Sequence, residues 1–233
     1  MGVHVAYCGR FGNNLFQYSI GRLYAEDHGL QLVTDWAQDK VLKATGARSG
    51  VVLGGGTRII DDGNVCELFG VGSGGDSVLF TGYFQQSGLF YPHRDRVRGF
   101  FELPRVVKNT RDIVMHVRCD DYGLAHRIHP EWYVDILRRE SFDRLYIVMS
   151  PLDQGYLDYF REFDPIIVSG NVRSDFFFIS SFDRIICSNS TFAWWAAFFG
   201  EPSRVYTFEG WLPGINGLVR FENSVPVGGR FFA

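Results

Sequence analysis

The sequence predicts an α/β protein of two lobes, each built on parallel strands covered by helices. Three observations predict it. Short apolar runs alternate with stretches whose apolar residues recur at helical spacing, from the N-terminus to about residue 208. The first part of the chain is glycine-rich and irregular and the second is regular. The break falls at Leu103-Pro104, so residues 1–104 and 105–233 are expected as separate domains. Finally, 233 residues that are 46% hydrophobic and 21% charged suit one large domain or two small ones and argue against disorder.

Val3 to Tyr7 reads as the first strand and ends in the loop Cys8-Gly9-Arg10-Phe11-Gly12-Asn13-Asn14. Phe16, Ile20, Leu23 and Tyr24 then recur at helical spacing, with Gly29 placed to end the helix, and Leu30 to Thr34 reads as a second strand. Residues 44 to 76 read as loops around short strands, punctuated by Gly54-Gly55-Gly56 and Gly72 to Gly75. In the second half, strands are expected at Ile113–Val117, Leu145–Met149, Ile166–Val168, Arg184–Cys187 and Arg204–Phe208. Between them, helices are expected after Pro130, over Gln154–Phe160, over Asp175–Ser181 and from Thr191. In the last of these, Thr191, Trp194, Trp195, Phe198 and Phe199 line one wide apolar face, with the tryptophan pair read as core.

Open α/β sheets bind ligands beyond the carboxyl ends of their strands, so the polar groups at those ends are the candidates. Gly9 to Asn14 opens a helix and offers backbone N–H groups and a positive dipole end to an anion, or is simply a tight turn. Alternation puts His116 and Arg118 on one side of the strand that ends at Val117, aimed at one space. A buried guanidinium needs an anionic partner. Ser188-Asn189-Ser190-Thr191 brings three hydroxyls, an amide and another helix start, or is only a capping sequence. Asp175 is most simply an N-cap.

Other chemistries are excluded. The net charge of −3, with a pI near 6.1, argues against a nucleic-acid binder. From Arg94 to Arg118, however, seven basic residues face three acidic ones, a stretch that either helps attract a nucleotide diphosphate or forms a solvated basic face. The four cysteines have no zinc-ligand spacing and are expected as reduced thiols. No apolar run is long enough for a transmembrane helix. The N-terminus lacks a basic region and Ala6 stands where myristoylation wants Ser or Thr, so a soluble, cytoplasmic protein is the expectation. In that setting the Asn189-Ser190-Thr191 sequon carries no glycan. Gly70-x-Gly72-x-x-Gly75 fits the dinucleotide pattern, but Val78-Leu79-Phe80 follows it as a strand and context rejects it. No phosphate-loop lysine and no D-x-D metal pair occur. The residues alone point to a phosphate- or nucleotide-binding α/β protein.

Four segments taken together resemble the α-1,2-fucosyltransferase family (glycosyltransferase family eleven) and related GDP-fucose-dependent enzymes. They are Gly12-Asn13-Asn14-Leu15-Phe16-Gln17-Tyr18, Gly82-Tyr83-Phe84-Gln85, His116-Val117-Arg118-x-x-Asp121-Tyr122 and Ser188-Asn189-Ser190-Thr191-Phe192-Ala193-Trp194-Trp195. The resemblance implies a GT-B-like fold, two Rossmann-like lobes whose parallel sheets face a central cleft. It implies an inverting, metal-independent transfer of L-fucose from GDP-β-L-fucose to a glycan hydroxyl, O-2 of a hexose, with no cofactor. The N-terminal lobe would receive the acceptor and the C-terminal lobe the nucleotide sugar. By the same resemblance Arg118 grips the donor diphosphate and His116 lies beside the nucleotide. Asp175 reads the guanine edge, Ser190 and Thr191 contact phosphate or sugar, Ser188 and Asn189 belong to the same donor-binding set, and Gly12 and Asn13 face the donor across the cleft. Arg118 and Asp121 are the catalytic candidates, with Asp35 and Asp120 also conceivable as a base. The sequence departs from the family where a second arginine becomes Cys119 and a small residue becomes Asp120, which keeps open another GDP-sugar donor, rhamnose or mannose, or an inactive GDP- or carbohydrate-binding relative.

Overall fold

Strand and helix alternate along the chain. The computed structural model describes residues 2–34, 36, 41–45, 56–119, 123–212, 215–216 and 223–231, in two units, Met1–Pro104 and Arg105–Ala233. The first contains β1 (Val3–Ala6), α1 (Phe11–Asp27), β2 (Leu32–Val33), β3 (Thr57–Ile60), α2 (Val65–Leu68), β4 (Ser77–Thr81) and α3 (Arg94–Gly99). Its four strands are all parallel, in the order β2-β1-β4-β3. Leu15, Phe16, Tyr18, Ile20, Leu23 and Tyr24 of α1 are fully buried, and the helix ends at Asp27 where Gly29 takes φ +63°. Gly54 and Gly55 lie outside the described residues.

The second unit contains β5 (Ile113–Val117), α4 (Pro130–Leu137), β6 (Leu145–Met149), α5 (Gln154–Leu157), β7 (Ile166–Val168), α6 (Val172–Ser180), β8 (Arg184–Cys187), α7 (Thr191–Gly200) and β9 (Arg204–Phe208). A short antiparallel ribbon, β10 (Gly210–Leu212) with β11 (Ile215–Asn216), precedes β12 (Ser224–Val227). Six parallel strands form one sheet in the order β12-β9-β8-β5-β6-β7. One layer packs Met115, Val117 and Cys119 against Trp132, Tyr133, Ile136 and Leu137 of α4, with Phe160 and Tyr206. The other holds α6 and α7. No helix among the described residues is long and apolar enough to cross a membrane.

Several local expectations are corrected. The helix expected from Asp175 begins at Val172, with Asn171 as its N-cap. Asn171 Oδ1 accepts the Ser174 N–H at 2.9 Å and Ser174 Oγ accepts the Asn171 N–H at 3.0 Å, a reciprocal pair that settles the start upstream of Asp175. The helix expected over Gln154–Phe160 tightens after Leu157 into a 3₁₀ turn, Asp158–Phe163. The α7 helix is not amphipathic in place: apart from Phe192 every residue in it is buried, as a helix apolar all round must be. Trp194 and Trp195 are core, Trp194 stacking on Phe198 with 5.1 Å between centroids. The basic stretch is drawn into structural pairs: Arg96 with Glu26 and Asp27, Arg111 with Asp143, and Lys108 with the Ser180 and Phe182 carbonyls.

Candidate functional site

In the second sheet the chain starts at β5, builds outward through β6 and β7, then returns to place β8 on the other side of β5. The direction of winding therefore reverses between β5 and β8, and the carboxyl edge of such a pair is where this architecture leaves a crevice. The β5 end carries His116 and Arg118; the β8 end carries Ser188 to Thr191. They meet: His116 Nδ1 lies 2.7 Å from Ser188 Oγ, in a hydrogen bond across the two strand ends. Ser188, Asn189 and Ser190 are almost wholly buried and Thr191 nearly so, while His116 and Arg118 are half-buried. Burial alternates along the strand: Met115, Val117 and Cys119 lie in the core and His116 and Arg118 on the opposite side.

The same alternation revises the reading of Cys119. Its side chain lies within the core that includes Tyr133 and Tyr156, away from the side that carries His116 and Arg118. An arginine on this backbone would be buried among those rings, so the missing charge is not a gap on the Arg118 side.

The start of α7 completes the edge. Ser190 is its N-cap in an extended conformation, and its side chain makes no capping bond, so the first-turn amides are not closed off by it. Phe192 stands with its ring 5.6 Å from His116 and 5.4 Å from Phe176, the neighbour of Asp175, linking β5, α7 and α6. Asp175 is 6% exposed, and its oxygens accept the Gly170 N–H at 3.0 and 3.2 Å. Burial pushes its carboxyl up from the usual range, against the Gly170 N–H and the Ser174 hydroxyl, which pull it down. A raised carboxyl holds its proton longer in the folded state. The group therefore costs stability as pH rises from the unfolded value through the folded one. Asp175→Asn is expected to flatten the loss of stability as pH rises above about 4, measured by chemical denaturation across pH; an unchanged profile overturns this.

Asn189 also has a partner within the fold. Its Nδ2 donates to the His126 carbonyl at 3.0 Å. From the other side, Arg127 donates to the Cys119 carbonyl and pairs with Asp153 at 2.9 Å. Asp153 caps α5 by accepting the Tyr156 N–H. Residues 126 and 127 thus tie the segments that follow β5, β6 and β8. No pattern in the sequence signalled Arg127. Asp121, with Asp35, Asp120 and Tyr122, lies outside the described residues.

Gly12 and Asn13 belong to the first unit. Strands β1 and β4 are parallel neighbours in its sheet, and the first two motifs meet at their carboxyl ends. Gln17, fully buried, donates from Nε2 to the Gly82 carbonyl at 2.8 Å and to Cys8 Sγ at 2.9 Å, and accepts at Oε1 from the Cys8 N–H and Asn14 Nδ2. Gln85 Nε2 donates to Asn13 Oδ1 at 3.0 Å, and Gly12 is buried in the first turn of α1. No group of three or more His, Cys, Asp or Glu side chains that could hold a metal occurs among the described residues.

No protein-family model matches the chain. An α-1,2-colitosyltransferase of Escherichia coli is 29% identical over 152 residues, covering 54% of this chain and 52% of that protein. The chain thus spans about half the length of that relative. A structure of a mutant of Arabidopsis thaliana FUT1 in complex with GDP matches 96% of this chain and 76% of that one, with TM-score 0.55 and 11% identity, a likeness of fold. The expected resemblance is borne out in sequence by the colitosyltransferase, and the expected α/β, GT-B-like fold by the plant protein.

Proposed function

We propose that the chain is a glycosyltransferase that moves L-fucose from GDP-β-L-fucose to a hydroxyl of a glycan acceptor, O-2 of a hexose, with inversion and without a metal. The observation that carries this reading is the convergence at the β5/β8 switch point, where the His116–Ser188 bond joins two strand ends that also present Arg118 and the start of α7. Cleaving the sugar–phosphate bond leaves positive charge on the ring and negative charge on the departing GDP. A guanidinium and first-turn amides already in place stabilise the latter. His116, held by Ser188 through Nδ1, is assigned to the nucleotide. Asp175, beside Phe176, is assigned to the guanine N–H edge. The second unit takes the donor and the first the acceptor.

A colitose donor is the second reading, favoured by the name of the Escherichia coli relative. The test is a nucleotide-release assay with intact GDP-fucose, GDP-colitose, GDP-rhamnose, GDP-mannose and UDP-glucose, with and without a chelator. Turnover of GDP-fucose, unaffected by the chelator, is expected. Turnover of GDP-colitose alone moves the assignment to the second reading. Turnover with UDP-glucose and none with GDP-sugars overturns both.

A further inference from the structure

The aromatic rings of this chain serve mostly as filling for its interior. Among the described residues only two stand out as exposed, Tyr83 at 47% and Tyr159 at 43%. Tyr159 sits edge-on to the His129 ring. No ring packs on Tyr83 among the described residues.

The backbone that presents Tyr83 is unusually constrained. Gly82 follows β4 so close to Asp62 that a Cβ there would come within 2.7 Å of Oδ2, which is why this position is glycine. The two Asp62 oxygens accept successive amides, Tyr83 N–H at 2.8 Å and Phe84 N–H at 2.6 Å. Phe84 takes φ +53° while its side chain is fully buried, edge-on to Phe80 at 5.6 Å. A left-handed conformation is costly for a non-glycine residue. Burying Phe84 offsets that cost, and the twist sends its neighbour Tyr83 outward. Gln17 holds the Gly82 carbonyl, and Gln85 is tied to Asn13. All of this lies at the carboxyl edge of the adjacent parallel strands β1 and β4, the edge at which open α/β sheets bind ligands.

A bare aromatic face on a fixed turn loses little freedom when covered, and its electron-rich surface attracts weakly positive C–H groups. A pyranose offers such a face, with hydroxyls around its rim that can donate to the Asp62 carboxylate, which keeps acceptor capacity beyond the two amides it holds. We propose that Tyr83 is the stacking platform for a pyranose ring of the acceptor. This rests on the acceptor role proposed above for the first unit.

The test compares wild type, Tyr83→Ala and Tyr83→Trp on a panel of immobilised galactose-, glucose- and N-acetylhexosamine-terminated glycans, with GDP binding measured alongside by calorimetry. Wild type is expected to bind at least one class of glycan, Tyr83→Ala to lose about tenfold or more of that affinity, and Tyr83→Trp to retain it. GDP affinity is expected to be the same in all three. Tyr83→Ala binding as wild type, or wild type binding GDP but none of the glycans, overturns the proposal. A wild type that binds glycan through Tyr83 but not GDP strikes the donor reading and upholds this one.

Discussion

Arg118→Ala is expected to lower kcat/KM for the intact donor by about 10²–10³-fold, or roughly 3–4 kcal/mol of transition-state stabilisation. The reasoning is electrostatic. Arg118 lies just past the end of β5, half-buried, on the side of the strand that carries His116 and opposite the core side of Cys119. A guanidinium in such a setting is worth more to a developing phosphate charge than it would be in open water. Arg118→Lys keeps the charge but loses the planar fork, so it should recover only part of the rate. Circular dichroism should report an unchanged fold in both. A fall under threefold for the alanine variant, with GDP affinity intact, would make Arg118 structural and remove the reading of the site.

Gln17→Ala is expected to destabilise the protein by about 3 kcal/mol, measured by chemical denaturation. Its side chain is fully buried and serves four partners: the Gly82 carbonyl, Cys8 Sγ, the Cys8 N–H and Asn14 Nδ2. Truncation leaves a cavity and strips buried groups of their partners together, which costs more than either change alone. Gln17→Glu keeps the volume but cannot donate to the Gly82 carbonyl when ionised, so it should also be destabilising. A loss below about 1 kcal/mol for Gln17→Ala would mean that water or a shifted neighbour replaces the amide.

The sheets were more legible than their connections. β5, β6, β7, β8 and β9 fall where the apolar runs put them: the inner strands, covered on both faces, read as continuous hydrophobic segments, whereas β7 is an edge strand with Ile166 and Ile167 partly exposed. β12 escaped notice: it is four residues long and contains Pro226, which only an edge strand tolerates, and the pairing with β9 is not local. Asp175 drew attention as a cap because acidic residues open helices, but Asn171 and Ser174 cap each other first. At the site, the pairing of His116 with Arg118 followed from alternation alone, and the burial of Cys119 follows from the same rule. The partners of Asn189 and Arg127 did not, since a side chain that holds a distant carbonyl leaves no local periodicity to read.

The aromatic packing of α7 has a bearing on how the molecule meets a ligand. Trp195 packs on Phe199 and Trp194 on Phe198 within the helix, Phe176 of α6 packs on Phe199, and every residue but Phe192 is buried, so the helix is held in the interior along its length. It behaves as a post rather than a gate. On the proposed function, a donor meeting Ser190 and Thr191 would have to fit a support that does not bend to meet it, and choice among rival sugars would fall to the segments around that post.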